Sequence, residues 1–233
     1  MGLFSVFTAS FFPFFIISIL VIIHELGHFL MCYLLGGKIL KISIYPYGGI
    51  SKFRLELNIS IAKEFLVLIS GPLFQILTFV VLSSFYPERQ SVIASYHYSI
   101  LFFNLLPIYP LDGGKLLNLV FQLFLPYRGS FIFSMVVGYS LIFVLAFGLI
   151  PSFSLNLLFI CLFLLIKLTT EYRQIQYLYE RFLLERYLHS YSFKKSRIVD
   201  DCKKFRRNYR HLVKQDGNYY LEKEILEKKY KNC

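Results

Sequence analysis

The sequence predicts an all-α polytopic membrane protein with five transmembrane helices, and three observations support this fold class. Hydrophobic residues make up 56% of the 233 positions, more than the surface of a soluble domain of this length allows. Several uncharged stretches are about 20 residues long, the length that crosses a bilayer. Most of the 25 Lys and Arg residues follow Ile166, beyond the last apolar stretch. We therefore expect contact with the lipid bilayer and, despite a formal net charge of +11, no nucleic-acid partner.

The transmembrane segments can be assigned in order along the chain. The first begins at Pro13, which suits an initial helical turn, and ends before Gly36-Gly37. The third contains Pro107 and Pro110, which break a helix. The apolar segment 116–127 is too short to cross a bilayer, so we predict a short helix packed under the bundle. The five predicted spans are residues 13–35, 65–86, 91–111, 129–150 and 151–166.

A β-hairpin is predicted between the first two spans. Residues 38–58 alternate apolar and polar side chains around Tyr47-Gly48-Gly49, which is typical of two strands joined by a turn. Unpaired strand edges are not stable in lipid. We therefore expect the hairpin at the membrane interface or tucked against the helices.

The charge distribution predicts the topology and the domain organisation. With five spans, a cytoplasmic C-terminus also places the basic hairpin loop and residues 112–128 in the cytoplasm, as the positive-inside rule requires. The N-terminus is then outside. We expect a transmembrane catalytic domain over residues 1–170 and a small basic cytoplasmic tail over residues 171–233.

The strongest chemical signal lies inside the first predicted span. His24 and His28 are four residues apart, so both imidazoles project from one helical face and can share a cation. Glu25 is rotated about 100° from His24 and can reach a water bound to that cation. Three ionisable residues in a span without Lys or Arg need a reason, and a zinc site of the HExxH type supplies one. The alternative is a buried polar cluster that lines a packing seam or a proton path.

Asp112 is the best candidate for a third zinc ligand. It follows the proline-broken third span at the same predicted depth as the histidine motif, and Gly113-Gly114 permits close backbone approach. The alternative role for Asp112 is the N-cap of the next helix, and the two roles can coexist. His97 lies near the outer end of its span, whereas His189 and His211 lie in the tail. Asn104 suits either a bond to substrate or an interhelical hydrogen bond.

Three motifs together resemble the site-2 protease family of intramembrane zinc metalloproteases. They are HELGH, GPLFQ at residues 71–75, and NLLPIYPLDGGKLL at residues 104–117. The resemblance implies one Zn²⁺ per chain, held by His24, His28 and Asp112, with Glu25 as the catalytic base. It also implies that Asn104 and Pro110 shape the active-site cleft, and that the hairpin helps to present an extended substrate.

The segment EYRQIQYLYERFLLERY, residues 171–187, is similar to the branch of this family found in endospore-forming bacteria. That resemblance implies a membrane-associated substrate, the precursor of sporulation sigma factor K. It further implies inhibitory membrane partners and a location in the mother-cell membrane around the forespore. This branch usually has a sixth span before HELGH, so six spans are an alternative count. Residues 198–230 match part of a CBS domain: a helix, a strand at 209–213, a turn and a helix.

Other functions stay open at the level of sequence. The same enzyme type can cut an anti-sigma factor or a signal-peptide remnant. A different class is a small transporter or proton relay that uses His24, Glu25 and Asp112. A further alternative is a non-enzymatic membrane scaffold with a basic tail. The four cysteines have no regular spacing, so we expect neither a disulfide framework nor a thiolate zinc cluster.

Overall fold

Uncharged apolar sequence forms long helices in the first part of the chain. The computed structural model describes residues 11–45, 48–54, 57–148, 154–189, 191–193, 195–215 and 217–231. They fall into two units, an N-terminal unit (Met1–Leu55 with Ala62–Leu105) and a C-terminal unit (Glu56–Ile61 with Leu106–Cys233).

The N-terminal unit contains three helices and one hairpin. Ile16 and Leu20 of the first helix and Ile93 of the third are fully buried together, and they form its apolar core. The elements in order are α1 (Phe11–Leu34), β1 (Lys38–Tyr45), β2 (Gly48–Arg54), α2 (Ile61–Phe85), a 3-10 turn (Pro87–Arg89) and α3 (Gln90–Leu105).

The predicted hairpin is confirmed. Strands β1 and β2 pair antiparallel from Lys38 opposite Arg54 to Tyr45 opposite Gly48, with one irregularity between Ile39 and Lys41. Strand β2 contacts α1, in keeping with a hairpin tucked against the helices. Gly48 already belongs to β2, and the predicted turn residue Tyr47 lies outside the described residues.

The C-terminal unit combines helices with a small sheet. Its strand order is β3-β4-β5, with β3 parallel and β5 antiparallel to the central β4. The elements are α4 (Asp112–Phe124), α5 (Tyr127–Phe147), α6 (Leu155–Leu188), β3 (Lys195–Val199), a 3-10 turn (Cys202–Lys204), β4 (Tyr209–Gln215), β5 (Asn218–Leu221) and α7 (Glu222–Lys231).

Four helices in the described part of the chain, α1, α2, α5 and α6, are long and apolar enough to cross a membrane. Predicted span 91–111 forms instead the 16-residue helix α3, which ends at Leu105, just before the two prolines. The predicted short helix is confirmed as α4, although it begins at Asp112 rather than at residue 116. The count of five spans stays a prediction, and the boundary between predicted spans 129–150 and 151–166 lies outside the described residues.

Helix α6 is much longer than the predicted last span. Its 34 residues extend to Leu188, through the expected domain boundary at residue 170. At 1.5 Å per residue the helix is about 51 Å long, more than the hydrocarbon thickness of a bilayer. The prediction stopped at residue 166 because Lys167 ends the apolar run, but the following residues are good helix formers.

The tail sheet differs from the predicted order at one place. Residues 195–199 form strand β3, where a helix from residue 198 was expected. Strand β4 and helix α7 correspond to the predicted strand and second helix. The expectation of a CBS-like segment stays a prediction.

Buried polar contacts attach this sheet to the end of α6. The Arg186 guanidinium, almost fully buried, donates to Asn58 Oδ1 at 2.7 Å, to Glu222 Oε1 at 2.8 Å and to two main-chain carbonyls. Glu222 Oε2 accepts hydrogen bonds from the main-chain N–H and Nδ1 of His211, at 3.1 and 3.2 Å. The first residue of α7 is thereby joined to β4 and to α6.

Candidate metal centre

His24 and His28 lie one turn apart on the buried face of α1. Their Nε2 atoms are 3.1 Å apart, and the two rings meet edge to face at 82°. The side chains are only 2% and 4% exposed. The expectation that both imidazoles share one helical face is confirmed.

Helix α2 holds the His28 ring from two directions. His28 Nδ1 donates to the Val67 carbonyl at 2.7 Å. The ring lies against Gly71, where an added Cβ would overlap the imidazole. Ser70 Oγ also donates to the Gly27 carbonyl at 2.9 Å, which joins α2 to α1 beside the histidine. Glycine at position 71 is therefore needed for the ring to reach this position.

His24 contacts the side chain of Gln75. Its Nδ1 lies 3.0 Å from Gln75 Oε1, and Gln75 Nε2 donates to the main-chain carbonyl of His97 at 3.0 Å. His97 is itself buried and stacked on Phe79, with ring centroids 4.4 Å apart. Of the three other histidines, His97 on helix α3 therefore contacts Gln75, the residue that lies against His24.

Glu25 follows His24 directly on α1 and is half-buried. The helical period turns its side chain away from the histidine face by about 100°, so it does not stand in line with the two imidazoles. A carboxylate in this position can act on a group that binds beside the histidines. It is not placed as a third ligand in line with them.

In the C-terminal unit, Asp112 is the first residue of α4 and is buried. Leu111, not Asp112, occupies the N-cap position, and no side chain caps the helix there. A carboxylate in the first turn suits the helix dipole, and Lys115 Nζ donates to Asp112 Oδ1 at 3.2 Å. The N-cap alternative therefore does not describe Asp112, which has a first-turn position instead.

The close approach expected at the LDGG motif is confirmed. A Cβ on Gly114 would overlap the backbone of Ile108 and Tyr109, so only glycine lets α4 begin so near the preceding segment. Pro110 follows Tyr109 through a cis peptide bond and is half-buried.

The remaining predicted residues are placed without a defined role. Asn104 is half-buried near the end of α3, and its function stays a prediction, as does that of Pro110. His189 is exposed, whereas His211 is fully buried in the sheet of the C-terminal unit.

Gln75 and Gly71 are contacts of the histidines that the sequence analysis did not assign. Both belong to GPLFQ, which supported the family resemblance but received no chemical role. A signal was present, because Gln75 is the single amide side chain of α2 and lies in an uncharged stretch of that helix.

Comparison with known proteins gives matches that agree with this geometry. The profile of Peptidase family M50 matches residues 12–87. Stage IV sporulation protein FB of Bacillus subtilis is 37% identical over 183 residues, which are 72% of this chain and 62% of that protein. A zinc metalloprotease of Methanocaldococcus jannaschii is 31% identical over 173 residues, 70% of this chain and 50% of that protein. The chain thus spans between half and two thirds of the length of these relatives.

A solved structure has a similar fold. The site-2 protease from Methanocaldococcus jannaschii superposes with a TM-score of 0.57 and 24% identity, covering 70% of this chain and 78% of that chain. The family resemblance drawn from HELGH, GPLFQ and the LDGG segment is confirmed by these matches. Residues 12–87 therefore match peptidase family M50, the site-2 protease family, and the superposition shows a shared fold.

Proposed function

We propose that the chain is an intramembrane zinc metalloprotease that hydrolyses a peptide bond of a membrane-associated protein. The observation that carries this proposal is the buried pair of His24 and His28, whose Nε2 atoms face each other inside a helix long enough to cross the membrane. The match to the family profile and the similarity to a zinc metalloprotease support it.

The donor set of the histidine pair fits zinc. Tetrahedral zinc with Zn–N bonds of about 2.0–2.1 Å separates two nitrogen ligands by about 3.3 Å, close to the 3.1 Å between the Nε2 atoms. His28 Nδ1 donates to a carbonyl, which can only accept, so a neutral His28 ring has no hydrogen on Nε2.

The same contact weighs against a proton relay. A hydrogen bond between the two Nε2 atoms requires a proton on one of them. If the ring that carries this proton also keeps its Nδ1 hydrogen, it is a cation. A buried imidazolium in a span is costly, whereas metal ligation uses both lone pairs.

Asp112 completes the proposed ligand set. It is buried like the two histidines, and its carboxylate can supply one ligand atom. Two histidines and one carboxylate are a ligand set used by catalytic zinc sites, and these residues would hold one Zn²⁺. Zinc bound there would lower the pKa of a water molecule and polarise the scissile carbonyl.

Glu25 is the proposed general base and acid. Its carboxylate accepts the proton of the attacking water and then donates it to the nitrogen of the departing amine, so the proton is conserved over the reaction. Asn104 is proposed to bind substrate backbone or the developing oxyanion, and Pro110 to shape the cleft wall.

The proposed substrate is the precursor of sporulation sigma factor K. The support is the similarity of residues 171–187 to the endospore-former branch and the 37% identity to a protein named for stage IV of sporulation. The mother-cell membrane, inhibitory membrane partners and a cytoplasmic tail belong to the same proposal. An anti-sigma factor and a signal-peptide remnant are the alternative substrates.

The test is co-expression of the chain with each of the three substrates, followed by immunoblotting for the cleaved product. We expect cleavage of the sigma precursor, and loss of cleavage in His24→Ala together with loss of bound zinc. Cleavage of only another substrate would replace the sigma factor while keeping the enzyme. A purified wild-type chain without bound zinc would refute the proposed function.

A further inference from the structure

We propose that Gln75 is a positioning residue that fixes the protonation pattern of His24, so that its Nε2 atom carries the lone pair used for zinc. This inference rests on the proposed function. The contact that carries it is the 3.0 Å approach of Gln75 Oε1 to His24 Nδ1, across 51 residues of sequence.

The orientation of the Gln75 amide follows from its other end. Gln75 Nε2 lies 3.0 Å from the main-chain carbonyl oxygen of His97, which can only accept a hydrogen bond. His97 Nδ1 lies 3.4 Å from the same nitrogen. The amide NH₂ must therefore face His97, and the amide oxygen must face His24.

This orientation determines which nitrogen of His24 is protonated. Gln75 Oε1 is an acceptor, so His24 Nδ1 donates to it and carries the hydrogen of the neutral ring. Nε2 is then the unprotonated nitrogen, on the side that faces His28. An acceptor on the outer nitrogen of a metal-binding histidine fixes its tautomer and ring orientation in this way.

Burial protects the hydrogen bonds of the Gln75 amide from water. Gln75 is 0% exposed and His97 is 2% exposed, so bulk water cannot replace the amide contacts. The carbonyl that orients the amide belongs to the backbone of α3, and its position does not depend on the identity of side chain 97. The backbone carbonyl of α3 therefore orients the Gln75 amide of α2, and this amide determines which nitrogen of His24 on α1 is protonated.

The decisive variant is Gln75→Met, which keeps the length and approximate volume of the side chain but removes the acceptor. We expect zinc affinity of the full-length chain in detergent to fall about 10–100-fold, measured by competition with a chromophoric chelator. The matched control on α2 is Thr78→Val, because Thr78 Oγ1 donates to the Phe74 carbonyl, one turn earlier in the same helix. We expect this control to bind zinc as the wild type does.

A second variant tests the source of the orientation. His97→Phe keeps the main-chain carbonyl and an aromatic ring against Phe79, so we expect nearly wild-type zinc affinity. A loss as large as that of Gln75→Met would show that the His97 ring, not the backbone, orients the amide, and would overturn this step.

The tautomer itself is read by nitrogen NMR on zinc-free protein labelled with ¹⁵N-histidine. The chain has five histidines, and His24→Ala assigns the signal of His24. We expect the Nδ1–H form in the wild type and a shift toward the Nε2–H form in Gln75→Met, which a purely structural disturbance would not cause. Unchanged zinc affinity and tautomer in Gln75→Met, beside a zinc-binding wild type, would overturn the inference about Gln75 alone. A wild type without zinc affinity would overturn the proposed function.

Discussion

His28 Nδ1 donates a 2.7 Å hydrogen bond to the carbonyl of Val67, and this contact joins the proposed metal ligand of α1 to the backbone of α2. A backbone acceptor does not titrate and has no alternative rotamer. The His28 ring is therefore held by a group that mutation of position 67 leaves in place. The two histidines of the proposed zinc site are thus held by helices, the kind of support that favours a preorganised catalytic site.

Replacement of Glu25 by Gln separates metal binding from catalysis. The variant keeps His24, His28 and Asp112, so we expect one zinc per chain, as in the wild type. It loses the proton acceptor, so we expect cleavage in the co-expression assay to fall by about 10²–10⁴-fold. Metal analysis of the purified protein and the blot for the product are the two measurements. Cleavage at the wild-type rate would remove Glu25 from the mechanism.

Replacement of Asp112 by Asn tests the third ligand. Asn retains similar size and hydrogen-bonding capacity at the start of α4 but is a poor zinc ligand. We therefore expect weaker zinc binding with an unchanged melting temperature of the zinc-free protein. The control is Lys115→Gln, which removes the 3.2 Å ion pair with Asp112 but leaves the carboxylate. Equal zinc affinity in Asp112→Asn and the wild type would exclude Asp112 as a ligand.

Sequence patterns predicted the features that depend on neighbours along the chain. The shared face of His24 and His28 follows from the helical period, and the hairpin follows from alternating polarity. The break after α3 follows from Pro107 and Pro110. Each of these rests on chemistry within a few residues of sequence, so one sequence is enough to read it.

The parts that were missed depend on long-range contacts. No local pattern shows that Gln75 meets His24, because 51 residues separate them. The length of α6 was underestimated because hydropathy marks the end of an apolar stretch and not the end of a helix. Strand β3 has four exposed residues out of five and is defined by pairing with β4, so its sequence carries no alternation of buried and exposed positions.

Replacement of Gly71 by Ala tests the packing around His28. The new Cβ would overlap the imidazole, so the ring or α2 must shift. Overpacking of this kind costs about 1–3 kcal/mol, and we expect a lower melting temperature and weaker zinc binding. The control is Gly129→Ala in α5, where the nearest atom to the new Cβ is Pro126 Cδ at 3.7 Å, an ordinary contact. Wild-type zinc affinity in Gly71→Ala would show that the site tolerates the shift.

The stability of the C-terminal unit is expected to fall as the pH is lowered below about 6.5. Burial lowers the pKa of His211 from its ordinary value of 6.5, and its Nε2 accepts a 2.9 Å hydrogen bond from the Arg206 N–H that protonation would break. The neutral ring is thus favoured in the fold. Its contribution is complete above the unfolded pKa and is lost as the pH falls through the lower, folded pKa.

Glu222 acts in the same direction at lower pH. Burial raises the pKa of its carboxyl, but the hydrogen bond from His211 and the charge of Arg186 outweigh burial and hold the pKa below 4.5. Thermal unfolding between pH 7 and 5 therefore reports mainly His211. We expect a smaller pH slope in His211→Gln and an unchanged slope in His189→Gln, since His189 is exposed. Equal slopes in the wild type and His211→Gln would contradict the assignment.

Replacement of Arg186 by Met tests the attachment of the tail sheet to α6. The Arg186 side chain is 1% exposed and that of Glu222 is 14% exposed, so loss of Arg186 leaves a mostly buried carboxylate without its cation. Breaking a buried ion pair by removing one partner costs about 3–5 kcal/mol. We expect a lower melting temperature and faster proteolysis after residue 188. The exposed pair Lys204–Asp200 is the control, and Lys204→Met should leave both measurements unchanged.

The double variant Arg186→Met, Glu222→Met tests whether the unpaired carboxylate is what destabilises the single variant Arg186→Met. Replacing both members of a buried pair by apolar residues is often neutral or stabilising. We therefore expect the second substitution to restore much of the stability that the first removes. If the double variant is as unstable as Arg186→Met alone, the hydrogen bonds of Arg186 to Asn58 and to the main-chain carbonyls, rather than its charge, attach the sheet.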